Sequence, residues 1–309
     1  AMEFYALGLG TPIPISALHG TGTGDLLDAV VASFSPTEEE GKEEDNAIKI
    51  AIVGKPNVGK SSLLNKLTGE NRAIVSPIPG TTRDAIDTSF QFGDIPITLI
   101  DTAGIRRKGK IEKGVEKYSV IRSMRAIERC DVALLLIDAS QEISAQDTHI
   151  AGYIQDKGKS TVVVVNKWDK VENKDAQSMQ VFIKKIRYAL NFMDYVPVLF
   201  ISALSGKGVE KVLPLALQVQ EERLMHINTG VFNRILMKAQ DMHSPSSKTG
   251  KPLRIYYGTQ VRSDPPTFLL YVNDPTLVHF SYLRFLENQL REVYPFRGTP
   301  IRFVLKKRK

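Results

Sequence analysis

A single cysteine, Cys130, in 309 residues leaves the chain unable to form an internal disulfide and suits a reducing compartment. The simplest role for it is that of a small buried side chain. Long hydrophobic runs are also missing. The longest, Val132-Ala133-Leu134-Leu135-Leu136-Ile137 and Val162-Val163-Val164-Val165, suit buried strands and fall far short of the about 20 apolar residues a membrane helix needs. No basic segment followed by an apolar stretch opens the sequence, so no export signal is expected. Hydrophobic residues are 42% and charged residues 24%, the composition of a soluble globular protein. The expected location is the cytoplasm, with no membrane partner. The length allows one large or two modest domains, each able to bury a core.

The formal charge of +7 is unevenly placed. Residues 223–309 carry 15 Lys and Arg against 5 Asp and Glu, a net +10, which leaves residues 1–222 at −3. A positive excess gathered on one segment is the electrostatic footprint of a nucleic-acid partner, although a solvated basic face would look the same.

Composition divides the chain into segments. Residues 36–46, Pro-Thr-Glu-Glu-Glu-Gly-Lys-Glu-Glu-Asp-Asn, have no apolar content and read as an acidic linker. From 47 to 221, β-branched runs at 48–53, 98–100, 133–137, 162–165 and 198–201 alternate with helical patterns such as 61–68 and 176–190. This predicts α/β architecture with a mostly parallel sheet and helices on both faces. Residues 222–309 change pattern. A helix at 229–242 and strands at 253–261 and 267–272 are followed by a helix at 275–293 and a strand at 300–305, a small α+β domain. In it Tyr256, Tyr257, Phe268 and Tyr271 fall on the strands, a pattern that suits core packing. One repeat stands out: Ile13-Pro14-Ile15-Ser16-Ala17-Leu18-His19-Gly20-Thr21-Gly22 parallels Leu199-Phe200-Ile201-Ser202-Ala203-Leu204-Ser205-Gly206-Lys207-Gly208. Residues 1–35 therefore read as the C-terminal remnant of an earlier, related domain.

The chemistry is concentrated in the middle segment. Gly54-Lys55-Pro56-Asn57-Val58-Gly59-Lys60-Ser61 is G-x-x-x-x-G-K-S between an expected strand and an expected helix, where backbone N–H groups and a helix N-terminus cradle phosphates. Lys60 can reach the β- and γ-phosphates, and the Ser61 hydroxyl is placed to ligate Mg²⁺, with Ser62 beside it. The motif alone means a nucleoside triphosphate. Asn166-Lys167-Trp168-Asp169 supplies the base, because a carboxylate can accept the paired N1–H and N2–H₂ donors of guanine and adenine has no such pair. This argues against a P-loop kinase or ATPase. Ser202-Ala203-Leu204 would support the base from the backbone. Asp101-Thr102-Ala103-Gly104 ends a strand, with the Asp101 carboxylate suited to Mg²⁺ through water and the Gly104 N–H to the γ-phosphate. In Pro79-Gly80-Thr81-Thr82-Arg83-Asp84, Thr82 is the residue placed to complete the Mg²⁺ shell while the γ-phosphate is present, so that hydrolysis would release the loop. Lys60, Thr82, Asp101 and Gly104 are the expected catalytic set.

In this order, G-x-x-x-x-G-K-S, T-T-R-D, D-T-A-G-I, N-K-W-D and S-A-L resemble the GTPases of the Era/TrmE/Der branch. With the leading repeat, the acidic linker and the basic α+β domain, the whole chain resembles the Der (EngA) family of bacterial tandem-domain GTPases. The resemblance implies the end of a first G domain, a complete second one and a C-terminal KH-like domain. It also implies hydrolysis of GTP to GDP and phosphate, and a role in maturation of the large ribosomal subunit, with that subunit or its precursor and rRNA as partners to a monomer. The position after D-x-x-G, often a glutamine that orients water, is Ile105, which cannot hydrogen-bond. The resemblance implies K⁺ beside the phosphates instead, held by the Asn57 side chain and the carbonyls of Ser76, Ile78 and Thr81. Arg106, Arg107 or Lys108 could alternatively supply charge in cis. Two alternatives stand beside this reading: a nucleotide-dependent binding module with little hydrolysis, and an Era-like KH GTPase. Residues 222–309 contain no G-x-x-G, the loop with which KH modules clamp single strands, so the domain either binds RNA by charge alone or docks on a G domain.

Overall fold

The computed structural model describes residues 11–16, 26, 47–70, 87–102, 105, 115–172, 175–243 and 252–308. Most of the expected remnant domain and the acidic linker lie outside these residues, as do Ser76, Ile78, Thr81, Thr82, Ala103, Gly104, Arg106, Arg107 and Lys108. The chain divides into two compact units, Ala1–Asn46 and Ala47–Lys309, and the second contains every element named below.

The uninterrupted apolar runs become the centre of a sheet, because a strand covered on both faces needs no polar alternation. The strands are β1 (Ile48–Val53), β2 (Thr88–Phe92), β3 (Ile95–Ile100), β4 (Val132–Asp138), β5 (Ser160–Asn166) and β6 (Val198–Phe200). They lie in the order β2-β3-β1-β4-β5-β6. All pairs are parallel except β2–β3. Every residue of β4 and β5 is buried. Successive side chains leave opposite faces. Ile50, Leu134, Leu136, Val162 and Val164 pack with Leu63 and Leu64 of α1 (Lys60–Glu70), and with Val212 and Ala216 near one another on a later helix. Ala51, Val53, Leu135, Ile137, Val163 and Val165 face Ile127 of α2 (Val115–Arg129), Ile150 and Ile154 of α3 (Ala145–Asp156) and Ile186 of α4 (Ala176–Ala189). The later helix is α5 (Val212–Leu224). Cys130 is fully buried beside this second core, and desolvation pushes its thiol up to about 12, so it is inert packing.

Strand β2 has no counterpart among the apolar runs of the sequence. It is an antiparallel edge strand in which Thr88 and Phe90 face in and Ser89 and Gln91 face out, too polar and short to stand out as an apolar run.

The second domain has the order α6 (Thr229–Met242), β7 (Ile255–Ser263), β8 (Pro266–Val272), α7 (Phe280–Val293), β9 (Arg302–Lys307). Its sheet runs β7-β8-β9, antiparallel then parallel. Phe232 and Leu236 of α6 and Leu286 and Leu290 of α7 close over Phe268 and Leu270 in one core. Phe268 is buried as expected of a core aromatic, but Tyr256 and Tyr257 are exposed. A bulge between Ile255 and Tyr257 adds a residue there and turns both rings away from the core.

The two domains are joined through the N-terminal end of β5. Thr161 N–H donates to the Gly298 carbonyl at 2.7 Å, and Gly298 N–H donates to the Tyr195 carbonyl at 3.0 Å. Gly298 has φ 66°, and a Cβ on it would lie 2.4 Å from the Thr161 oxygen, so the approach requires glycine. The hydroxyls of Ser160 and Thr299 bond at 2.9 Å in the same buried seam. The guanidinium of Arg223, buried at the end of α5, donates to the Gly158 carbonyl at 2.9 Å and pairs with Asp264 at 2.5 Å. The second domain thus docks on its neighbour at the edge opposite the C-terminal strand ends, where α/β ligands bind.

Candidate nucleotide site

At the C-terminal ends of β1 and β5, one side chain joins three motifs. Asn166 closes β5, is 2% exposed, and donates from Nδ2 to the Val58 carbonyl at 2.8 Å. Its Oδ1 accepts from Ala203 N–H at 2.9 Å. The amide therefore ties the phosphate loop to the Ser202-Ala203-Leu204 turn through one of its two N–H donors and its oxygen. Asn166, expected among the nucleotide contacts, also holds a bracing position that the motif does not specify. Gly59, with φ 103°, passes so close that a Cβ there would sit 2.1 Å from Asn166 Nδ2.

The phosphate loop spans Gly54 to Gly59, with Asn57 also left-handed at φ 65°. Leu63 N–H bonds to the Gly59 carbonyl at 2.9 Å, so the amides of the first turn of α1 precede the helical ladder and point from its N-terminus. That end carries the partial positive charge that attracts phosphate. Lys60 Nζ is folded over the loop, donating to the carbonyls of Gly54 and Lys55, both at 2.8 Å. Ser61 Oγ donates to the Ile105 carbonyl at 2.8 Å, which brings the D-T-A-G-I segment to the start of α1. Lys55 reaches the wholly buried Asp147 at 3.4 Å; Asp147 also forms the capping box of α3 with Ser144. This tie between the loop and α3 had no signal in the motif itself.

Asp101 stands at the end of β3 with φ 56°, its backbone N–H bonded to Asp87 Oδ1 at 2.9 Å. Asp87 is in turn paired with Arg129 of α2. Thr102 is buried, its hydroxyl 2.7 Å from that of Thr88. It fixes the turn from β3, while Asp101 remains partly exposed.

The N-K-W-D segment is anchored by contacts that the motif does not specify. Trp168, the variable residue of N-K-W-D, is buried and packs on Phe200 and Phe182 at 4.5 and 5.9 Å between ring centroids. Its backbone N–H donates to the Ile201 carbonyl at 3.1 Å. Lys167, at φ 62°, sends Nζ 2.6 Å from Asp138 Oδ2 at the end of β4. Burial works against the Asp138 charge, but hydrogen bonds from Lys167 and from Ser140 outweigh it and hold the carboxyl below the ordinary aspartate value. Asp169 is exposed beside this anchored pair, in a short 3₁₀ turn, and Leu204 is exposed across from it on the turn that Ala203 attaches to Asn166. Gly54 to Ser62, Asp101, Ile105, Lys167, Asp169 and the 202–204 turn thus lie on segments joined by direct hydrogen bonds.

The donor set suits Mg²⁺. Ser61 and Asp101 offer hard oxygens, and no group of three or more His, Cys, Asp or Glu that could hold a metal occurs among the described residues. Mg²⁺ bound through one or two protein oxygens and substrate phosphates needs no such cage.

Two family descriptions match the chain: "50S ribosome-binding GTPase" over residues 49–167, and "KH-domain-like of EngA bacterial GTPase enzymes, C-terminal" over residues 226–306. GTPase Der of Chloroflexus aggregans is 53% identical over 309 residues, covering 100% of this chain and 68% of that protein. GTPase Der of Alkaliphilus oremlandii is 52% identical over 306 residues, covering 99% of this chain and 69% of that protein. Among solved structures, Era in complex with MgGDPNP and a segment of 16S ribosomal RNA is 22% identical, covers 85% of this chain and 94% of its own, and aligns with a TM-score of 0.43. The α/β P-loop GTPase domain, the KH-like domain after it and an identity of about half over the full length agree, and the chain belongs to the GTPase Der family.

Proposed function

We propose that this chain is a GTP-hydrolysing switch whose nucleotide state controls its docking on rRNA within the large ribosomal subunit or its precursor. The observation that carries the nucleotide half is the Asn166 bridge, which holds the phosphate loop and the base-side turn in one frame. In this reading the loop amides and Lys60 bind the β- and γ-phosphates, and Lys60 moves from the carbonyls of Gly54 and Lys55 to do so. Asp169 accepts the guanine N1–H and N2–H₂, with Lys167 held beside it by Asp138. Ser61, Thr82 and, through water, Asp101 hold Mg²⁺, which neutralises charge on the transferred phosphoryl group. Gly104 N–H meets the γ-phosphate. With Ile105 unable to orient water, Asn57 and the carbonyls of Ser76, Ile78 and Thr81 hold K⁺ at the phosphates. The ribosomal half is supported by the description of the matching GTPase family and by the net +10 of residues 223–309.

Steady-state GTP hydrolysis in matched KCl and NaCl, with and without large ribosomal subunits, tests the whole. Turnover that rises in KCl, loses that rise in Asn57→Ala and climbs again with subunits is the expected result. Equal rates in both salts would remove the K⁺ site. GTP binding without turnover in any condition would leave a nucleotide-dependent binding module.

A further inference from the structure

Both helices of the KH-like domain lie on one face of its three-stranded sheet, since Phe232, Leu236, Leu286 and Leu290 share a core with Phe268 and Leu270. The register sets what the other face displays. Tyr257 pairs with Tyr271, which pairs with Lys306, so these three form one row across the sheet. Leu269 and Val304 form part of the next row. The Tyr257 and Tyr271 rings lie 5.6 Å apart, and Lys306 Nζ stands 5.9 Å from the Tyr271 centroid. At the bulge, Tyr256 is 45% exposed under the Arg308 guanidinium, 4.7 Å from its centroid.

Tyr256 and Tyr257 are exposed and Tyr271 is half-buried, and cations stand over two of these three rings, on a face turned away from the core. We propose that this open face, with Tyr257, Tyr271 and Lys306 at its centre and Tyr256 and Arg308 at its edge, is a stacking platform for single-stranded RNA. The inference rests on the rRNA reading above and names its contact surface. Charge selects the occupant: the face belongs to a segment of net +10, which favours a phosphate backbone. The rings select the strand state. A flat sheet can stack bases only once they are splayed out, which single strands permit and A-form duplexes do not. Such a platform also needs no G-x-x-G loop, and residues 222–309 have none.

The test is fluorescence anisotropy of the full chain with labelled oligouridine, beside co-sedimentation with large ribosomal subunits and a GTP-binding check that each variant is folded. Tyr257→Ala and Tyr271→Ala should each weaken oligouridine binding roughly 5- to 150-fold, the range for loss of one stacked base. Tyr257→Phe should keep it, because the ring remains. Lys306→Gln should lower the salt dependence by about 0.7 in log–log slope. Should either alanine variant be unfolded, Tyr256→Ala, at an exposed position, reads the same effect. Wild-type affinity in the folded alanine variants would overturn the proposal, as would subunits bound by a wild-type chain that ignores oligouridine. Tyr257→Ala that blocks sedimentation but leaves oligouridine binding intact would assign the face to a protein instead. Oligouridine binding that needs the tyrosines in a chain that ignores subunits would sink the ribosomal reading and keep this one.

Discussion

Gly59 and Asn166 belong to different motifs, and the structure seats them so that a single added carbon at Gly59 would lie 2.1 Å from the Asn166 amide nitrogen. That nitrogen is the donor to Val58, and the same amide accepts from Ala203. Gly59→Ala therefore forces a left-handed alanine and pushes out the side chain that bonds both motifs. The expected cost is at least about 2 kcal/mol in chemical denaturation, with loss of GTP affinity. A double-mutant cycle isolates the cause. In an Asn166→Ala background the obstruction is gone, and Gly59→Ala should cost markedly less than it does alone. Additive costs would show that the two residues act independently.

Asp138 makes part of the stability depend on pH. Its folded carboxyl is held below the ordinary value by bonds from Lys167 and Ser140 in spite of burial. The unfolded chain, at about 3.9, takes up the proton first as pH falls. Stability from this group is thus fully present above that value and is lost as pH drops through it toward the folded value. In urea denaturation, wild type should exceed Asp138→Asn at neutral pH, and the gap should close in acid. A gap that is constant with pH would mean that the ionised carboxylate is not what holds Lys167.

How far the sequence foretold this varies with the kind of interaction. The buried strands β4 and β5 were legible because two-sided burial writes itself as an unbroken apolar run. The phosphate loop was legible because its backbone geometry demands glycines at fixed spacing. Strand β2 was hidden, since an edge strand with one wet face carries polar residues. The bracing role of Asn166 and the Lys55–Asp147 tie were hidden for another reason: they depend on which segments meet across 108 and 92 positions, and no local spacing encodes that. The exposure of Tyr256 and Tyr257 follows from a bulge that shifts register, which strand alternation alone does not reveal.

Arg223 couples the two domains. Its side chain is 4% exposed and bonds Gly158, Ser160 and the more exposed Asp264. Arg223→Met removes the buried guanidinium and leaves the Gly158 carbonyl and Asp264 without it, at an expected cost of about 2–4 kcal/mol. Calorimetry should show one transition for the wild-type pair of domains and two for the variant. Arg223→Lys should restore little, because an ammonium cannot reach three acceptors in the guanidinium's fork. An unsplit transition at the wild-type temperature would mean that the Gly298 seam alone holds the domains together.

On the proposed reading, base selection rests on a single carboxylate, that of Asp169. Asp169 is exposed beside Lys167, while Trp168 is locked beneath it by Phe182 and Phe200, so the carboxylate is presented on a turn that cannot readily yield. Guanine offers two donors to it; xanthine replaces the exocyclic amine with a carbonyl, which a carboxylate repels and an amide N–H can meet. Asp169→Asn should therefore lose roughly ten- to a hundred-fold in GTP affinity and gain for XTP. Because the anchoring is carried by Trp168, stability should hardly change, which separates a base reader from a brace such as Asn166. Competition binding of GTP and XTP to the two proteins decides it: an unchanged ratio would mean that Asp169 does not face the base.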